Sequence, residues 1–242
     1  MIRFYNLQMV FFAFVLTSTS CNNSNITVKG AELEIQLILN EEFEDHMSNW
    51  TVEQREGGSV KVENGKMDID DASGCTVWFN KKLSGNIMIE YEAVVIDEGG
   101  TNDRVSDLNC FWMATDISTE DFFATSEQRG GKFQNYHDMK LYYVGLGGHN
   151  NTKTRFRRYA GGGERPCLPG HDLSDAAFLI TANAINHIRI VVYNKHIQYY
   201  RNGLLIYDFE DQDPYSEGYF GIRTFKNHMT VDNFKVYSLH EN

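Results

Sequence analysis

Between Lys153 and Arg165 the chain places five basic side chains, Lys153, Arg155, Arg157, Arg158 and Arg165, against one acid, Glu164, although the whole molecule carries a formal charge of −11. Side chains alternate along a strand, so Arg155, Arg157 and Tyr159 share one face there while Thr154, Phe156 and Arg158 take the other. Three arginines this close repel one another unless an anion lies among them. That anion is either one of the protein's own carboxylates, giving ordinary salt bridges, or the carboxylate of a ligand. Guanidinium suits both, because its planar fork grips a carboxylate in bidentate fashion. The ligand reading makes Arg155 and Arg157 a recognition pair for an acidic, uronate-containing glycan.

Neighbouring residues supply the other groups that acidic-sugar chemistry needs. A uronate-cleaving lyase neutralises the carboxylate, removes the C5 proton with a base and protonates the leaving oxygen with an acid. His149 or His137 would be the base and Tyr143 the acid, with Asn150, Asn109, Tyr159, Arg223 and Trp112 as further substrate contacts. The run from Gly145 to Asn151 (Gly-Leu-Gly-Gly-His-Asn-Asn) either lets a ligand approach the backbone or is a long hairpin turn. It lacks the Lys-Ser/Thr ending of a phosphate loop. Tyr142 and Tyr143 are equally read as packing residues.

Hydrolysis would instead need two carboxyl groups about 5 to 10 Å apart. Glu90 and Glu92 fall on one strand face roughly 7 Å apart, but alternating acids also describe a solvated face. The acidic loop 97–109 offers oxygen ligands for a structural calcium, or is held by Arg104 pairing with Asp107; it lacks the EF-hand order. No zinc spacing and no nucleotide, haem or flavin motif occurs, so no organic cofactor and no metal in the site are expected. On a strand at 108–115, Asn109, Phe111 and Met113 share a face opposite Cys110 and Trp112. Trp78 and Trp112 are sugar-stacking platforms or core residues, and Arg223 with His228 would line the same concave face as the arginines.

These groups need a scaffold, and the pattern supplies strands. Runs with strand character fall at 59–63, 66–70, 76–80, 86–96, 108–115, 139–145, 154–159, 187–193, 196–200, 204–209, 218–225 and 230–239. Asn64–Gly65 and Asn202–Gly203 are strong hairpin signals, and Asn194–Lys195 suggests a third. Only 173–179 and part of 119–125 look helical. About a dozen short strands with 42% apolar residues imply an all-β sandwich of two antiparallel sheets, in one domain.

At the amino end, Arg3, the apolar run 9–16 and the small residues 17–20 lead into Cys21, the layout of an export signal before a lipidated cysteine. A plain signal peptide is the alternative. The expected organisation is a signal over 1–20, a lipidated Cys21 and tether over 21–40, and one β domain over 41–242. The expected setting is exported, in the periplasm or at the cell surface, with the lipid as sole membrane contact. Of Cys75, Cys110 and Cys167 at most two can pair; Cys75–Cys110 is the preferred disulfide, two buried thiols the alternative. The acidic balance gives no reason to expect nucleic acid.

Certain segments carry a resemblance. The opening Glu42–Phe43–Glu44–Asp45, Trp50, and the strand Ile87–Met88–Ile89–Glu90–Tyr91–Glu92 lead to a close with Gly218–Tyr219–Phe220–Gly221–Ile222–Arg223 and Val231–Asp232–Asn233–Phe234–Lys235–Val236. These resemble the concanavalin-A-like lectin and glucanase superfamily, including the keto-glycoside hydrolase-like domains. Segments 99–114 and 142–159 are similar to a Bacteroidetes domain-of-unknown-function family (number 6250) within it. The resemblance covers about residues 40 to 240 and implies a jelly roll in polysaccharide utilisation, without a list of catalytic residues. The Glu-x-Asp-x-x-Glu motif of the superfamily's glucanases is missing. Cleavage of lyase or glycosidase type is therefore one expectation, and a non-catalytic glycan-binding surface lipoprotein is the other.

Overall fold

The computed structural model describes residues 24–44 and 46–241, so the expected signal and Cys21 lie outside the described residues. The first strands are β1 (Ser24–Val28), β2 (Ala31–Glu41), β3 (Trp50–Gln54), β4 (Ser59–Glu63), β5 (Lys66–Asp71) and β6 (Cys75–Phe79). They are followed by β7 (Leu83–Ser84), β8 (Ile87–Val95), β9 (Leu108–Thr115), β10 (Lys140–Gly147), β11 (Lys153–Ala160) and β12 (Asp172–Leu173). The chain ends with β13 (Ile185–Tyr193), β14 (His196–Arg201), β15 (Leu204–Glu210), β16 (Glu217–Thr224) and β17 (Asn227–Glu241).

One sheet has the order β1-β2-β17-β8-β13-β14-β15 with the β4–β5 hairpin attached to β17; the other has β12-β11-β10-β9-β16-β6-β3 with β7 on β16. The pairs are antiparallel, and the two sheets form the jelly-roll sandwich that the sequence implies. Asn64–Gly65 and Asn202–Gly203 all have positive φ, the geometry a two-residue hairpin turn requires. Between the sheets, Ile89, Tyr91 and Val236 meet Val144, Phe156 and Phe220. Trp112 belongs to this core: it is fully buried, 5.7 Å from the Tyr142 ring and stacked at 6.4 Å on Tyr199. It therefore offers no face to a sugar, which corrects its assignment as a substrate contact.

Other expectations change for physical reasons. The segment expected to be a tether forms β1 and β2; β2 pairs with β17, and Val28 and Leu33 pack on Met88, Val191 and Leu239. Met113 adopts φ +50° where β9 and β16 lose register, so it turns into the core instead of sharing a face with Asn109 and Phe111. Cys75 and Cys110 are buried free thiols. Their strands flank β16, a separation of two strand spacings or roughly 10 Å, too far for a disulfide. Burial pushes the Cys110 thiol up to about 12.

A second apolar layer lies on the outer face of the β9–β10–β11 sheet. Residues 116–139, three short helical turns, cross that face and place Phe122, Tyr136 and Met139 over Trp78, Phe111, Leu141 and Tyr159. Burying each such aromatic is worth about 1.5 to 3 kcal/mol, so this lid is a fixed part of the fold. It also explains why all five residues of β6 are buried: both faces of that strand are covered. Trp78 lies beneath the lid, edge-on to Phe122 at 4.9 Å, and is closed to ligands.

Candidate functional site

Strand register builds the site. Across β16, β9, β10 and β11 the residues Arg223, Asn109, Gly145 and Arg155 fall in one row, with Asp172 of β12 beyond. The next row holds Gly221, Phe111, Tyr143 and Arg157. The lid covers the second row as far as Tyr143, and the first row forms the floor of a hollow, with Asn109 and Arg223 themselves almost fully buried. Gly145 is needed there, because the Tyr143 hydroxyl lies 2.6 Å from where a Cβ would stand.

The hollow has a volume of about 400 Å³, and its walls bring Arg155, Arg157, Arg165, Lys153, His149 and Tyr143 together. Arg104, Asp107, Phe133 and Phe225 also line it, and among the described residues Asp107 is its only carboxylate. A smaller hollow of about 230 Å³ adjoins it, where Asn109, Gln134 and Arg223 join Phe133, Tyr143 and Phe225. Arg104 and Phe225 come from loops, and Phe133 and Gln134 from a short helical turn of the lid, so sequence reasoning did not assign them to the site.

The arginines of β11 differ sharply in their partners. Arg158 faces away from the hollow and is engaged by Asp211 at 2.6 Å, with the Tyr215 ring 4.2 Å from its guanidinium. Arg155 pairs with Asp172 at 3.0 Å and also donates to His149 Nε2 at 2.7 Å. Arg157 donates to the Arg165 carbonyl at 2.6 Å and has no carboxylate partner among the described residues. Arg165 lies 5.7 Å from the Tyr159 ring, and its Nε is buried without a partner. Tyr159 shares the expected face but is fully buried under the lid, so it supports Arg165 and cannot reach a ligand.

The candidate acid and bases separate. Tyr143 lines both hollows, and burial pushes its phenol well above the ordinary range, so it stays protonated and can donate. His149 lies in a left-handed turn with Asn150 and Asn151, at φ 56°, 57° and 56°. Hydrogen bonds between the Asn151 amide and Ile180 hold that turn. Because Arg155 donates to Nε2, the lone pair a base would use is already occupied. His137 is not brought to the hollow: its ring packs edge-on to Phe133 at 5.2 Å and Tyr159 at 6.2 Å. Burial, helped by the Arg165 charge, lowers its pKa. The Asn150 side-chain carbonyl accepts from Arg104 Nε at 2.9 Å, so Asn150 braces the rim and does not line the hollow.

Acids outside the hollow are also engaged. Glu90 meets Arg189 at 2.7 Å and Glu92 accepts from Asn233 at 3.0 Å, both on the opposite sheet. His228 is on that sheet too, between Asp68 and Asp103 at 3.0 Å each, which corrects its expected place beside Arg223. In the loop 97–109, Asp103 accepts from the backbone of Glu98 and Gly100, and Asp107 pairs with Arg104 at 3.1 Å. Among the described residues no group of three or more His, Cys, Asp or Glu is placed to hold a metal ion.

Comparison with known proteins agrees with this architecture. The model of the family described as "Domain of unknown function (DUF6250)" matches residues 69–234, more than half of the chain. No curated protein matches in sequence. Among solved structures, a protein of unknown function with galectin-like fold from Bacillus subtilis superposes with TM-score 0.69 at 14% identity, covering 85% of this chain and 97% of that one. An endo-beta-1,3-glucanase from Pyrococcus furiosus gives TM-score 0.56 at 14% identity, covering 90% and 99%. The carbohydrate binding module CBM66 from Bacillus subtilis gives 0.52 at 14% identity, covering 81% and 99%. At such identities the likeness concerns the fold alone.

Proposed function

Because the chain belongs to the DUF6250 family, whose description names no activity, we propose its function from the site itself: the hollow recognises a glycan through a uronate carboxylate set against Arg155 and Arg157. The observation that carries this reading is Arg157, a half-buried guanidinium without a carboxylate partner among the described residues, beside Arg165 and Lys153 in a protein of charge −11. Converging cations destabilise one another unless an anion joins them, and a planar carboxylate fits the guanidinium fork. The names of two structural neighbours, a glucanase and a carbohydrate binding module, support carbohydrate as the ligand class. In the exported, lipid-anchored setting expected from residues 1–21, such a domain would serve polysaccharide utilisation at the cell envelope.

Binding without hydrolysis is the better-supported mode. A glycosidase needs two carboxyl groups flanking the bond, whereas among the described residues Asp107 is the one carboxylate lining the hollow, and it is paired with Arg104. Lyase-type cleavage is the second reading, favoured by His149 and Tyr143 lining the same hollow as the arginines. It requires His149 to exchange Arg155 for the C5 proton.

The test is a panel of uronate-containing and neutral polysaccharides presented to the protein and to an Arg155→Ala, Arg157→Ala double variant. Depletion from solution and absorbance near 235 nm are followed together. Retention of uronate polymers alone, lost in the variant and without new absorbance, is expected. Unsaturated product that disappears in the variant would establish the lyase reading. Equal behaviour of both proteins on every polymer would refute both.

A further inference from the structure

The two hollows form one groove with unequal ends. The larger is lined by Arg155, Arg157 and Arg165 on the β11 side, and the smaller reaches Arg223 on β16. Beyond Arg223 the lid meets the β5–β6 turn backbone to backbone. A Cβ on Gly131 would stand 2.4 Å from the Gly74 carbonyl oxygen, and one on Gly74 would stand 2.6 Å from that of Gly131. Arg223 ties this junction by donating to the Gly131 carbonyl at 2.5 Å and to Thr76 Oγ1 at 3.2 Å. A chain lying in the groove cannot run through it.

The blind end is built for something other than an acid. The Arg223 charge is turned to the lid, with the Phe133 and Tyr136 rings 5.3 and 5.5 Å from its guanidinium. Asp107, paired with Arg104, stands where the two hollows join and offers a second carboxylate no partner. Phe133 and Phe225 offer apolar surface to the C–H face of a sugar ring. On the floor, Asn109 is 3% exposed; its amide nitrogen donates to Asp107 at 3.3 Å while its carbonyl oxygen is buried with no partner. A buried acceptor left unpaired calls for a donor, and a sugar hydroxyl is one.

We propose that the groove takes a glycan by its chain end, with a neutral terminal sugar in the blind hollow, one hydroxyl donating to Asn109, and the uronate next to it against Arg155 and Arg157. This deepens the acidic-glycan reading and rests on it. The lid thereby sets specificity: it converts a face that could hold a chain along its length into a site for an end.

The experiment is titration calorimetry with uronate oligosaccharides of two to six residues that carry a neutral terminal sugar. Each is tested free, with its reducing end blocked by reductive amination, and with its non-reducing hydroxyls methylated. Affinity is expected to level off at two residues and to fall about tenfold or more when one particular end is blocked. Asn109→Leu should weaken disaccharide binding by about the same factor. Affinity that climbs through six residues, or that ignores both blocked ends, would overturn end recognition while leaving the acidic-glycan reading intact. Failure of every oligosaccharide to bind would remove both.

Discussion

Arg155, Arg157 and Arg158 lie within four residues of one strand, yet their surroundings give them different work. Arg158 neutralises the nearly buried Asp211, which also accepts from Tyr142 at 2.6 Å, so Arg158→Ala should cost about 1 to 3 kcal/mol in chemical denaturation. Among the described residues only a carbonyl holds Arg157, so Arg157→Ala should shift the melting temperature by no more than about 2 °C. The same change should weaken uronate binding roughly ten- to hundredfold, the worth of a charge-assisted hydrogen bond. A large loss of stability in Arg157→Ala with unchanged binding would make Arg157 structural. The common face of Arg155, Arg157 and Tyr159 was legible because alternation is a local property of a strand. Asn109 and Arg223 were recognisable as polar residues on strands, but their meeting with Gly145 depends on register among β9, β10 and β16. Met113 shows the limit of alternation: one bulge residue at φ +50° reverses the face.

The lid is the element that separates this site from an open sheet face, and a buried ion cluster fastens it. Glu53 of β3 receives Arg129 Nη2 at 2.6 Å, Arg129 Nε at 2.9 Å, Tyr136 Oη at 2.7 Å and Ser126 Oγ at 2.7 Å. Glu53 and Arg129 are each 2% exposed, so removing Glu53 leaves the guanidinium, in a medium that solvates it poorly, with only the more distant carboxylate of Asp116 at 3.3 Å among the described residues. Glu53→Gln should therefore destabilise the protein by about 3 to 5 kcal/mol in urea unfolding; a cost below about 1 kcal/mol would show that the lid is held mainly by its aromatics. A second clamp joins the loop 97–109 to the opposite sheet through His228, Asp68 and Asp103. Burial pulls the His228 pKa down, but the two carboxylates outweigh it, with Asp70 adding to them, and the net shift is upward. The clamp is thus at full strength below the ordinary histidine value of 6.5 and weakens as pH rises through the higher folded value. Between pH 6 and pH 8.5 the wild type should lose more stability than His228→Gln; parallel curves would exclude the clamp. Neither clamp could be read from sequence, since each joins residues far apart in the chain. β2 was readable in part: Leu33, Ile35, Leu37 and Leu39 alternate, although Leu37 is half exposed and the segment follows an expected lipidated cysteine.

At the scale of the whole molecule, a net charge of −11 surrounds a groove lined by Arg104, Lys153, Arg155, Arg157 and Arg165. Overall repulsion of anionic polymers and local attraction in the groove act on the same ligand, and screening by salt weakens both. Fold class was legible because a dozen strand runs with Asn-Gly turns leave few alternatives to a sandwich. The function was less so, because the fold carries many activities and only the site distinguishes them. The most direct measurement is the ratio of affinities for one uronate oligosaccharide and for the same oligosaccharide with its carboxyl groups reduced to primary alcohols, at fixed ionic strength. Shape and hydroxyls are then nearly constant and only the charge seen by Arg155 and Arg157 changes. The acidic-glycan account predicts a loss of about tenfold or more on reduction, and no such loss in the Arg155→Ala, Arg157→Ala variant. Equal affinity of the wild type for the two ligands would contradict it.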